Sequence, residues 1–98
     1  MYARMNTSRW NPETREQALK LTSDTIIPAY RKHPGYRGYV LLLEPDGEKG
    51  IAITLWDTEE DRESSVEIAR AMTAELRGVL REPPTTENFD VVADIPSG

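Results

Sequence analysis

The stretch Pro34–Trp56, PGYRGYVLLLEPDGEKGIAITLW, admits few folds. It reads as a β-hairpin, with a strand near Tyr36–Leu43, a turn at Glu44-Pro45-Asp46-Gly47-Glu48 and a return strand near Gly50–Trp56. Side chains alternate across a strand, so Tyr39, Leu41 and Leu43 share one face, and Gly38, Val40 and Leu42 the other. On the return strand Ile51, Ile53 and Leu55 oppose Ala52, Thr54 and Trp56. Both faces are largely apolar. A single sheet with one solvated face would carry polar residues there. The pattern therefore predicts helices on one face and a second copy of the sheet on the other.

The flanking segments supply those helices. Met1–Arg9 has the length of a strand and lacks Gly and Pro. Ala3, Met5 and Thr7 point one way, and Tyr2, Arg4, Asn6 and Ser8 the other. Asn11-Pro12-Glu13 starts a helix: Asn11 caps, Pro12 sits where an N–H is not needed, and Glu13 favours the positive end. Ala18, Leu21, Thr22, Thr25, Ile26 and Ala29 follow at helical spacing. Pro28 predicts a kink or loosening after Thr25, and His33-Pro34-Gly35 ends the helix. Thr58 and Asp61 predict a capping box with Asp in place of Glu. Ser65, Ile68, Ala69, Met72, Leu76 and Val79 form the stripe of a second helix, weakened near Gly78 and stopped by Pro83-Pro84. Asn88–Asp94 reads as a last strand, followed by a short tail. The order βαββαβ predicts a ferredoxin-like α+β fold, a four-stranded antiparallel sheet with the first and third strands central and both helices on one face.

Composition narrows the function. Ninety-eight residues make one domain, with a core over about residues 2–94. A chain this short buries a thin core, which favours dimerisation. The net charge of −5, with no basic run, argues against nucleic-acid binding. There are no cysteines, hence no disulfide, thiolate metal site or cysteine nucleophile. The longest apolar run, Val40–Leu43, is too short to span a membrane, and no secretory h-region is visible; the expectation is a cytoplasmic protein. There is no Ser-His-Asp arrangement, no phosphate-cradling glycine loop and no carboxylate pair spaced for acid–base chemistry.

Three longer segments carry a resemblance: W-N-P-E at the first helix start, I-I-P-A-Y-R-K-H-P-G-Y-R-G-Y between helix and strand, and I-T-L-W-D-T-E-E-D at the end of the third strand. With them the chain resembles the antibiotic-biosynthesis-monooxygenase-like proteins of the dimeric α+β barrel superfamily, from about Tyr2 to Asp94. The resemblance implies a homodimer joined through sheet faces, and a pocket between each sheet and its own helices for a small apolar or aromatic ligand. In the cofactor-free quinone-forming members a Trp ends the third strand, and Trp56 matches it. Their Asn four residues earlier is Ala52 here, and their Tyr six residues later is Arg62. In the haem-degrading members a first-strand Asn matches Asn6. Their second-helix Trp and haem-ligating His fall near Ser65 and Glu75, and neither is present.

The candidate site is therefore Trp56 and Asn6 for catalysis, with Arg4, Tyr39 and Tyr30 for ligand binding and no cofactor or metal. Trp56 either packs the helix–sheet core or forms a wall that stacks on an aromatic ligand. Asn6 and Arg4 either make internal hydrogen bonds or orient a substrate oxygen, Arg4 meeting an anionic one. Tyr30, Tyr36 and Tyr39 cluster at the helix-to-strand turn, where a phenol could bond a quinol. His33 reads as a surface or capping residue. Two functions remain open: a cofactor-independent monooxygenase acting on a quinol-type aromatic, or a non-catalytic ligand-binding or stress-related dimer. Haem binding is the third and weakest, for want of an axial histidine.

Overall fold

The structure, a computed structural model, describes residues 1–93. Four antiparallel strands, β1 (Tyr2–Arg9), β2 (Tyr36–Leu43), β3 (Lys49–Trp56) and β4 (Thr85–Asp90), form one sheet in the order β2-β3-β1-β4. β1 and β3 are central, as the βαββαβ order predicts, and the topology is ferredoxin-like α+β. β1 pairs with β3 from Tyr2↔Trp56 to Arg9↔Lys49. Tyr2, Arg4, Asn6 and Ser8 share their face with the helices. Met5, Thr7, Val40, Leu42, Ile51, Ile53 and Leu55 lie on the opposite face, where Val40 is 42% and Leu42 51% exposed.

The first helical stretch begins as expected. The Asn11 side chain accepts from the Glu13 amide at 3.1 Å, and Pro12 opens a 3-10 turn (Pro12–Thr14) that leads into α1 (Arg15–Leu21). The loosening that Pro28 implies takes the form of a π segment at Thr22–Ile26, closed by a bond from the Ile27 amide to the Thr22 carbonyl. The wider turn accommodates a proline ring that would otherwise crowd the preceding turn. α2 (Ile27–Arg31) completes the stretch. Between α2 and β2, Gly35 takes a φ of 87°, which a side chain would make costly.

The second helical stretch differs from expectation. It is broken at Ser65 into α3 (Glu59–Ser64) and α4 (Val66–Glu75). Ser65 donates its hydroxyl to the Arg62 carbonyl, a local bond that competes with helix continuation. α4 ends well before Pro83-Pro84. The chain turns at Gly78, whose φ of 88° places it in the left-handed region, so Val79 is buried from a loop rather than a helix. Thr58 caps α3 through the Asp61 amide at 3.0 Å, but Asp61 returns its carboxylate to the Thr58 hydroxyl rather than to its amide. β4 lies earlier than Asn88–Asp94; of that expected strand Asp94 is outside the described residues. The Thr85-Thr86-Glu87 run extends along β1 through register, despite its polar character.

Two apolar clusters join sheet to helices. Trp10, Ala18 and Val79 form one, and Ile26, Tyr30 and Trp56 the other. Gly50 makes the first possible, because a Cβ there would lie 2.0 Å from Trp10 Nε1.

Candidate functional site

The site lies where α4 leans over the helix face of β1. Alternation on β1 brings Arg4 and Asn6 to this face, and the β1–β4 register puts Asn6 opposite Thr86. The Thr86 hydroxyl donates to Asn6 Oδ1 at 2.8 Å. That bond orients the amide, and its NH₂ group has no partner among the described residues.

Two spaces meet at Asn6. The inner cavity, about 40 Å³, is lined by Asn6, Tyr30, Tyr39, Thr54, Met72 and Leu76 among others. The outer groove, about 420 Å³, is bordered by Arg4, Asn6, Val66, Ala69, Arg70, Thr73, Pro84 and Thr86. Asn6, Ala69, Thr73 and Pro84 belong to both. The groove falls within the roughly 300–1,000 Å³ typical of small-molecule sites. The inner cavity has room for only about three waters at ~10–15 Å³ each, hence for a diatomic gas rather than an aromatic ring.

A bulge in β2 shapes the aromatic wall. Tyr36 pairs with Trp56, but Gly38 already pairs with Leu55, so Arg37 is the extra residue. The bulge puts both Tyr36 and Tyr39 on the helix face, although they are three apart in sequence. Arg37 turns outward to an ion pair with Asp57. Tyr30 and Tyr39 stand 5.9 Å apart by ring centroids. Burial raises the pKa of both phenols, with Arg4 opposing the rise at Tyr30. They stay protonated at neutral pH, which makes their O–H groups available to donate a hydrogen bond and unsuited to act as bases.

Asn6, Tyr30 and Tyr39 thus come together in one wall, and Arg4 stands in the adjoining groove. Trp56 stands behind them. Its ring is fully buried, its Nε1 donates to Thr54 Oγ1 at 2.9 Å, and Tyr30, His33 and Tyr36 meet it edge-on. It lines neither space. His33 lies at the helix exit, with Nε2 2.8 Å from the Ser64 hydroxyl and Nδ1 beside the Pro34 carbonyl, tying α2 to α3.

Several site residues were not singled out from sequence. Thr86 becomes relevant only through strand register. Arg70 and Thr73 sit one turn apart on α4, a spacing that signals a shared face but not a groove. Arg62 is buried at 6% exposure, and donates to the Phe89 carbonyl at 3.1 Å, fastening β4 to α3. No group of three or more His, Cys, Asp or Glu side chains that could hold a metal occurs among the described residues.

Neither a family model nor a curated protein matches the chain. Solved structures do. A mutant of MhuD with two manganese protoporphyrin IX molecules per active site superposes with a TM-score of 0.78 at 21% identity, covering 99% of this chain and 100% of the other. The monooxygenase from the gene ActVA-Orf6 of Streptomyces coelicolor, in complex with nanaomycin D, gives 0.71 at 21% identity over 98% and 92%. A structure described as an antibiotic biosynthesis monooxygenase gives 0.74 at 17% identity over 95% and 100%. Over nearly its whole length, the chain has the ferredoxin-like α+β fold of structures described as antibiotic biosynthesis monooxygenases.

Proposed function

We propose that the protein is a cofactor-independent monooxygenase of the antibiotic-biosynthesis-monooxygenase type, acting on a phenolic or quinol-type aromatic in the outer groove. The observation that carries this reading is Asn6, its amide oriented by Thr86 and set at the junction of a ligand-sized groove and a small, largely apolar inner cavity. The aromatic lies in the groove with its phenolic oxygen on Asn6, and dioxygen occupies the inner cavity.

The substrate supplies the electrons. A phenol with an open para C–H loses its O–H proton to water, and the phenolate gives one electron to dioxygen. Superoxide and the substrate radical combine at the para carbon. The peroxide takes up a proton, the para C–H proton leaves with hydroxide as water, and a para-quinone remains. One phenol and one dioxygen thus give one quinone and one water. Asn6 stabilises the phenolate, and the tyrosine O–H groups face the reduced oxygen.

The working form is a homodimer. The sheet face away from the helices leaves Val40, Leu42 and Phe89 between 42% and 51% exposed, beside half-buried Ile51, Ile53 and Leu55. An apolar area of this kind on a small protein marks an interface. The nanaomycin and porphyrin complexes of structurally similar proteins support small-molecule binding. The sealed position of Trp56, and two protonated tyrosines in place of a base, favour a second reading in which the groove binds an aromatic without turning it over.

Oxygen uptake with a panel of para-unsubstituted phenols tests the proposal. Protein-dependent uptake should fall by about 10²–10³-fold in Asn6→Ala, the scale for losing one oxyanion-type donor. An unaltered rate in that variant contradicts the role given to Asn6.

A further inference from the structure

Arg4 is buried at 3% exposure, and no counter-ion meets it among the described residues. One terminal nitrogen donates to Ser65 Oγ at 2.6 Å and the other to the Arg62 carbonyl. Both partners are neutral. Among the described residues no carboxylate lies within 4.0 Å of its guanidinium, whereas every other buried arginine there has one: Arg62 meets Glu63 at 3.4 Å and Glu59 at 3.7 Å. Burial disfavours the Arg4 cation, Tyr30 and then Glu63 favour it, and Arg62 repels it. Buried charges are normally paired, since a desolvated cation without a partner is strongly unfavourable.

Its position gives the imbalance a direction. Arg4 faces the helices and lines the outer groove, so a second copy docked on the opposite sheet face does not neutralise it. Arg70 borders the same groove, its side chain 75% exposed and its ion pair with Glu67 a loose 3.7 Å. Between the two arginines the walls are Val66, Ala69 and Pro84, surfaces for a flat apolar body. The remaining guanidinium N–H groups of Arg4 have no partner among the described residues and suit the planar fork of a carboxylate.

We propose that the natural ligand of the groove is an aromatic carboxylate, its carboxyl group seated on Arg4 and supplying the counter-charge that the described residues do not. The inference rests on the groove being the ligand site, and adds the charge of the molecule that enters. It also explains how an acidic chain, net charge −5, holds an anion: the attraction is local and buried rather than spread over the surface.

Calorimetric titration of the full chain with naphthoate and with naphthamide, an uncharged molecule of the same shape, tests it. The acid should bind at least about 10-fold more tightly, the scale of one charge-assisted bidentate contact. That preference should persist in Arg4→Lys and vanish in Arg4→Met, with circular dichroism confirming that each is folded. Equal binding of acid and amide to the wild type, or a preference that survives Arg4→Met, overturns the proposal. If Arg4→Met does not fold, nitrogen-labelled arginine keeps the question open to decision in the wild type. The Arg4 Nε–H resonance should move with naphthoate and not with naphthamide; a resonance indifferent to both overturns the assignment. Oxygen uptake with phenols alongside equal affinity for acid and amide refutes the anion assignment and leaves the oxygenase reading intact. Acid selectivity without oxygen uptake does the reverse.

Discussion

Replacing Leu42 by Glu should abolish the proposed dimer while leaving the subunit folded. Leu42 sits on β2 opposite Ile51, on the face away from both helices, and is 51% exposed in the single chain. Full burial of a leucine is worth ~1.5–3 kcal/mol, so the half still exposed is worth ~1 kcal/mol on docking. In an isologous interface each residue counts twice, which makes ~2 kcal/mol lost on truncation. A carboxylate in its place adds desolvation of at least ~1–2 kcal/mol per copy. The sum, ~4–6 kcal/mol, weakens dimerisation by about 10³–10⁴-fold, at about 1.4 kcal/mol per decade. Sedimentation equilibrium measures this directly. Leu19→Glu is the control, because Leu19 is 42% exposed on α1 and far from the sheet face. The expected result is a dimeric wild type, a dimeric Leu19→Glu and a monomeric, folded Leu42→Glu. A Leu42→Glu protein as dimeric as the wild type would refute the argument from the uncovered face.

Gly50→Ala should lower stability by about 1–3 kcal/mol, the usual cost of overpacking, since its Cβ would lie 2.0 Å from Trp10 Nε1. Gly78→Ala, with nothing within 4 Å of the new Cβ, should cost about 1 kcal/mol through its positive φ alone; denaturant titration separates the two. Thr58→Ala removes the bond to the Asp61 amide and should cost about 1 kcal/mol in the same assay. Stability should also fall in alkali. Tyr30 and Tyr39 have folded pKa values raised above 10.0, so their contribution is complete below the unfolded value and is lost as pH rises through the folded values. Melting temperatures above about pH 10 should therefore fall, and less steeply in Tyr39→Phe.

The hairpin was legible because two short runs rich in β-branched, aromatic and aliphatic residues flank a Pro45-Asp46-Gly47 turn. From it followed the strand order, the helix layer and the uncovered face. The second helix was less legible. Its stripe continues to Val79, but apolar spacing does not reveal that Ser65 breaks the helix or that Gly78 turns the chain in the left-handed region. β4 was misplaced because Thr85-Thr86-Glu87 carries no alternation; the unpaired edge of β1 selects it instead. In the site, Asn6 and Arg4 stood out as polar residues on a buried strand face. Their partners Thr86 and Ser65 lie 80 and 61 residues away, and only the fold joins them. The seclusion of Trp56 depends on the β2 bulge, which delivers Tyr36 to its edge.

The most direct test of the oxygenase account is the stoichiometry of oxygen uptake with para-unsubstituted phenols. The account predicts one dioxygen consumed per para-quinone formed, no accumulating hydrogen peroxide, no added cofactor and a strong dependence on Asn6. Absence of protein-dependent uptake across the panel, or hydrogen peroxide formed in step with dioxygen consumed, would contradict it.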